Sequence, residues 1–256
     1  MTHPRSLIIW IACLIAMIAW PYAREIAQPA TTRTLVEDGV LHVGLDPSRP
    51  PFAFFTEGGD YAGIEVDLAR EIGQALNIPV ELVPLGFDGL YDALRTNRAD
   101  VVIAGLAPEE HQNGVVYTRH YFDAGLVLIT QHPDITFRDL PGRTLAYEFG
   151  APADALTQRW RRQIAPFVGR PYELPEHAMM ALHYGEADVA LVDRRTARLY
   201  LREHPTFAPF FVEMVTNDWY APAVREGRPD LVAALNTTLK ALDDTGRLEA
   251  IIDRWL

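Results

Sequence analysis

A chain of 256 residues suffices for one large domain or two modest ones, and a composition 49% hydrophobic and 22% charged belongs to a protein with a packed core. The formal net charge of −11 repels a phosphate backbone, so no nucleic-acid partner is expected. One cysteine (Cys13), one lysine (Lys240) and two serines (Ser6, Ser48) argue against a disulfide framework, a cysteine metal site, Schiff-base chemistry, a Walker phosphate loop and a serine-hydrolase elbow.

The chain opens with Arg5 followed by an uncharged, largely apolar stretch from Ser6 to Ala23. A positive flank and an apolar run of this length describe a signal peptide or an N-terminal membrane anchor over residues 1–23, and hence an extracytoplasmic protein. Pro21-Tyr22-Ala23 makes a poor cleavage site, so cleaved and anchored forms both stay open. Residues 24–34 lack periodicity and read as a linker.

Leu41 to Leu45 reads as a strand ended by Asp46-Pro47. Ile64 to Leu76 carries Val66, Ala69, Ile72 and Leu76 on one stripe, which predicts a helix closed by Asn77-Ile78-Pro79. Val80 to Leu85 reads as a strand, and Asp88 as the cap of a helix bearing Leu90, Ala93 and Leu94. The continuously apolar Val101 to Leu106 completes a parallel β-α-β-α-β pattern with right-handed crossovers.

The pattern recurs further on. Strands are expected at 126–130, 144–149, 172–174, 189–192 and 210–215, with helices at 152–164, 176–184 and 194–203. Two helices at 230–242 and 247–256, divided by Gly246, form a tail. If the strand-like piece from Trp219 to Val224 crosses back, the tail completes the first half, and two crossings make a hinge beside a cleft suited to a small ligand.

Several segments in order resemble family 3 of the bacterial solute-binding proteins, the polar amino-acid receptors of ABC importers. They are L-H-V-G-L-D-P-S-R-P-P-F (41–52), Y-A-G-I-E-V-D-L-A (61–69), G-F-D-G-L-Y-D-A-L (86–94), R-A-D-V-V-I-A-G-L (98–106), Y-F-D-A-G-L-V-L (121–128), G-E-A-D-V-A-L-V-D (185–193) and R-L-E-A-I-I-D-R-W (247–255). The resemblance implies an α/β type II periplasmic-binding fold of two Rossmann-like lobes, the first from 35–123 plus 222–256 and the second from 124–221. It implies a monomeric receptor for a small polar solute, partnered by a membrane permease, with no cofactor, no metal and no catalytic residue.

In that family an arginine and a lobe-two hydroxyl hold the ligand's carboxylate, and an aspartate pairs with its ammonium. A zwitterion in a cleft needs such a cation and such an anion. Asp193 matches the aspartate, and the same position suits a helix N-cap before Arg194. The arginine is missing: after Ala104-Gly105, allowing one deletion, His111 falls in its place, either as a weaker and pH-dependent partner or as a surface histidine in an acidic loop. The hydroxyl is missing too, since Gly150 is followed by Ala151-Pro152. Arg49, between Asp46 and Phe52, stands where relatives carry a covering aromatic and offers a replacement cation, the other reading being a surface arginine paired with Asp46. Phe87 matches a stacking aromatic or is core. Tyr147 and Glu148 both end a strand, and alternation alone does not say which faces the cleft; Tyr147 joins the candidate set. Two competing readings remain: a degenerate or sensory binding module, and a periplasmic dehydratase using Glu148 and Asp193 as acid or base.

Overall fold

The computed structural model describes residues 35–108 and 114–256. The expected leader and linker (1–34) and His111 lie outside the described residues. Most of the chain is organised around two five-stranded sheets.

In the first sheet, β1 (Leu41–Leu45) lies between β5 (Val80–Pro84) and β6 (Val101–Val102), all parallel. Beyond β6 come β15 (Ala223–Arg225), antiparallel to it, and β7 (Val115–Tyr117) at the edge. The second sheet repeats this order. β10 (Thr144–Glu148) lies between β11 (Val168–Tyr172) and β12 (Val189–Asp193), again parallel, followed by antiparallel β9 (Leu126–Thr130) and β13 (Phe210–Met214). β15 returns to the first sheet from beyond the second, so the chain passes between the two sheets twice. At the crossings β8 (Phe122–Asp123) pairs antiparallel with β14 (Trp219–Tyr220). Asp123 clasps them: its Oδ1 accepts the Gly125 and Asp218 N–H groups at 2.9 and 2.8 Å, and its Oδ2 accepts Asn217 Nδ2.

Both sheets are covered on both faces, which is why their central strands are apolar throughout. On one face of the first sheet, Leu41, Val43 and Val101 pack with Leu68 and Ile72 of α1 (Ile64–Leu76), Leu235 and Leu239 of α6 (Pro229–Asp244) and Ile252 of α7 (Arg247–Trp255). On the other, Val102 and Ala223 meet Leu90 and Leu94 of α2 (Leu90–Arg95). In the second sheet, Leu145, Tyr147, Val189 and Leu191 pack against Trp160 of α3 (Pro152–Gln163). Ala146, Ala190 and Val192 turn the other way, toward Met179 and Leu182 of α4 (Pro175–His183) and Tyr200 of α5 (Arg194–Glu203). A small three-stranded sheet, β2 (Ser48–Arg49), β3 (Ala53–Phe55) and β4 (Tyr61–Ala62), closes the first half.

Several expectations change in detail. The third strand ends at Val102, before the chain turns out through Gly105. The short strand expected at 172–174 is a longer edge strand at Val168–Tyr172. Asp88 caps nothing; it sits in a 3-10 turn (Phe87–Gly89), and Gly89 is the N-cap of α2. α1 ends because Asn77 takes a left-handed conformation (φ 54°), letting the Ile78 N–H reach Gly73 O at 2.9 Å. Asn77→Ala is therefore expected to cost about 1 kcal/mol in urea unfolding, while Asn77→Gly should be neutral or better, since only glycine tolerates this region without strain.

Candidate ligand-binding site

The two halves meet around a cavity of about 570 Å³ at the carboxyl ends of the parallel strands, where α/β sheets commonly bind ligands. The first half contributes Ser48, Arg49, Pro50 and Phe52; the second contributes Glu148, Ala151 to Ala153, Leu191 to Asp193 and Arg195. Thr216, Asp218 and Tyr220 line it from the returning segment.

Arg49 belongs to β2, held by its register opposite Ala53. Its Nη1 donates to the Ala104 carbonyl at 2.5 Å, and the guanidinium lies 5.6 Å from the Phe52 ring centre and 5.5 Å from that of Tyr220. Its described partners are thus the Ala104 carbonyl, the Phe52 ring and the ring and hydroxyl of Tyr220 rather than Asp46. Gly105 makes this position possible: at φ +60°, a Cβ there would sit 2.1 Å from Arg49 Nη1. Asp46 is buried and serves the loop, its Oδ1 accepting the Ser48 N–H at 3.0 Å and the Ser48 hydroxyl at 2.7 Å. Phe52 is buried and forms part of the cavity floor, edge-on to Phe122 at 5.2 Å.

Asp193 ends β12 and is the N-cap of α5, its two oxygens accepting the Thr196 N–H (2.9 Å) and hydroxyl (2.6 Å). It also lines the cavity, 3.8 Å from Arg195 Nε. The helix cap and a place in the cavity wall coexist geometrically. Burial pushes the Glu148 carboxyl above its ordinary pKa, helped by the negative charge of Asp193. Burial, with Asp123 nearby, does the same to Asp218.

Tyr147 does not face the cavity. It shares a sheet face with Leu145 and is 2% exposed among Leu145, Leu191 and Trp160, so Glu148, on the opposite side of the strand, takes that place. Phe87 is half-exposed in its 3-10 turn and is not part of the cavity wall; it is not a core residue either. Gly150 (φ 74°) adjoins the lining residues and donates its N–H to Asp154 Oδ2 at 3.0 Å. Arg195, Thr216, Asp218 and Tyr220 were absent from the sequence-derived set. Only Arg195 had a local signal, lying two residues past Asp193 in the first turn of a helix. Among the described residues no group of three or more His, Cys, Asp or Glu side chains is placed to share a metal ion.

Two α/β halves of identical strand order, crossed twice by the chain and closing on a charged cavity, define a two-lobed receptor for a small polar solute. The model for the bacterial extracellular solute-binding proteins, family 3, matches residues 41–256, and the chain belongs to that family. It is 26% identical over 247 residues to the L-cystine-binding protein TcyJ of Escherichia coli (strain K12), covering 94% of this chain and 91% of that protein. The unliganded, open L-cystine solute receptor of Neisseria gonorrhoeae superimposes with a TM-score of 0.74 at 20% identity, covering 89% of this chain and 97% of that one, a likeness of fold. An ancestral amino-acid-binding protein described as a precursor of cyclohexadienyl dehydratase matches at 26% identity with a TM-score of 0.53, over 89% of this chain and 99% of that one. Members of the family are periplasmic and mostly serve transport. Among the described residues no helix is long and apolar enough to cross a membrane.

Proposed function

We propose that this receptor captures an amino acid or a close zwitterionic relative between a first lobe, 35–123 plus 222–256, and a second, 124–221, and hands it to an ABC permease. The supporting observation is the charge layout of one cavity: Arg49 on the first-half wall, and Asp193, Glu148 and Asp218 on the opposite and returning walls. Arg49 takes the carboxylate with the guanidinium N–H groups that the Ala104 carbonyl and Tyr220 leave. Asp193 takes the ammonium, and the remaining carboxylates favour a solute with a second cationic group. Closure is driven only by contacts that the ligand makes better in the closed form. The protein works as a monomer outside the cytoplasm, exported by residues 1–23, and without a cofactor.

Thermal shift against cationic, acidic and neutral amino acids, L-cystine, dicarboxylates, amines and prephenate tests this. A solute at about 100 times its Kd adds roughly 2.7 kcal/mol of stability. A shift with one or more amino acids is expected; a flat response to all of them overturns the reading. The likeness to a dehydratase precursor supplies the competing enzyme reading, and turnover of prephenate would establish it instead. Asp193→Asn keeps an oxygen for the Thr196 N–H, so it is expected to leave the melting temperature nearly unchanged while weakening amino-acid binding by about tenfold or more in calorimetry.

A further inference from the structure

Glu65 is the second residue of α1 and is fully buried, an unusual place for a carboxylate with no cationic partner in contact among the described residues. Its backbone is fastened to the Arg49 loop: Ile64 N–H donates to Pro51 O at 3.1 Å and Glu65 N–H to Phe52 O at 2.9 Å. Gly63 permits this contact, since a Cβ at its φ of 123° would lie 2.3 Å from Phe52 O. The side chain is tied to the same loop from the other direction. Tyr121, also buried, donates its hydroxyl to Glu65 Oε1 at 2.6 Å and accepts the Gly105 N–H at 3.0 Å. Gly105 and Ala104 are the backbone against which the Arg49 guanidinium lies. Among the described residues Glu65 Oε2 has no hydrogen-bond partner.

We propose that Glu65 is a positioning residue for Arg49, acting through Tyr121 and Gly105, and that a carboxylate docking on Arg49 draws a proton onto Glu65. This rests on the reading that Arg49 receives the solute's carboxylate. Ionised, Glu65 offsets the guanidinium charge from behind. A ligand carboxylate in front takes over that role and leaves two negative charges around one cation, so the buried one is neutralised. The groups facing Glu65 are Tyr121, Arg49 and Asp46; Arg49 favours the ionised form and Asp46 opposes it. Burial is the larger influence and pushes the carboxyl up to about 7, so the coupling operates in the neutral range.

The test has two arms on the purified protein. Carbon-13 NMR of labelled glutamate should show Glu65 titrating near neutrality, and Arg49→Gln should move that titration upward; a midpoint in the ordinary carboxylate range, or one that Arg49→Gln leaves in place, overturns the proposal without any ligand. Calorimetry with L-cystine and L-arginine from pH 5.5 to 8.5 should show affinity falling by about tenfold per unit by which ligand raises the Glu65 pKa. Glu65→Gln should flatten that slope near the low-pH affinity, while Glu148 and Asp218 still contribute in the acid range. Equal slopes in both proteins overturn the proposal. Failure of both solutes to bind counts against the amino-acid reading, and the NMR arm still decides this one.

Discussion

Replacing Arg49 by alanine is expected to weaken amino-acid binding by about a hundredfold or more, equivalent to roughly 2.7 kcal/mol. A charge-assisted, bidentate arginine–carboxylate pair inside a closing cleft is among the strongest polar contacts available to a small ligand, and its removal strands the ligand's carboxylate away from water. The resemblance puts no arginine at the family's carboxylate position and Ala151-Pro152 at its hydroxyl position, and among the described residues the wall offers the carboxylate Arg49 and, from the other half, an Arg195 already close to Asp193. Arg49→Lys should recover little, because a point charge on a flexible stem reproduces neither the fork nor the packing between Phe52 and Tyr220. Gly105→Ala should resemble Arg49→Ala, since the added Cβ would collide with the guanidinium at 2.1 Å. Calorimetry on a solute that shifts the wild-type melting temperature measures all three. An Arg49→Ala protein that binds within a few-fold of wild type would remove Arg49 from the site and leave the carboxylate to Arg195.

The fold was legible wherever an element was long or buried on both sides. The stripe on Ile64 to Leu76 and the apolar runs at 41–45, 126–130 and 189–192 reappear as helix and strands with nearly those bounds. Edge strands were obscured by the residues that edges tolerate: Val168–Tyr172 contains Gly169 and Pro171, and proline is admitted there because its missing N–H faces no neighbouring strand. The short strands at 53–55, 61–62 and 115–117 carry too few residues for any period to show. In the cavity, Arg49 was readable because a charged residue replaced an expected ring. Tyr147 was misplaced although Leu145, two residues earlier and on the same face, already pointed to the core. Glu65 lay within the quoted 61–69 segment, but nothing there pointed to a role beside Arg49. An acid in the first turn of a helix looks like an ordinary complement to the helix dipole, and only the tertiary fold brings Tyr121 and Gly105 onto it.

The burial of Glu65 also has a consequence for stability. Unfolded, this carboxyl ionises around its ordinary value of 4.5; folded, it holds its proton to about 7. Between those limits the native state binds more protons, so its contribution disfavours folding increasingly as pH rises through the window and levels off above it. A separation of about 2.5 units corresponds to about 3 kcal/mol at full ionisation. Glu65→Gln cannot ionise and keeps an oxygen for the Tyr121 hydroxyl. Its unfolding free energy, compared with wild type in urea at pH 5 and pH 8, should therefore improve by roughly 2–3 kcal/mol more at pH 8 than at pH 5, because at pH 5 the unfolded carboxyl is already largely ionised. Glu148 and Asp218, raised in the same direction, are present in both proteins and cancel from the difference. Tyr121→Phe should act the opposite way, removing a donor that lowers the Glu65 pKa and steepening the loss of stability toward alkaline pH. Parallel pH profiles for wild type and Glu65→Gln would mean that the carboxyl is ionised at little cost in the folded protein, and the Arg49 guanidinium would then have to supply far more of its stabilisation than the backbone path through Gly105 and Tyr121 conveys.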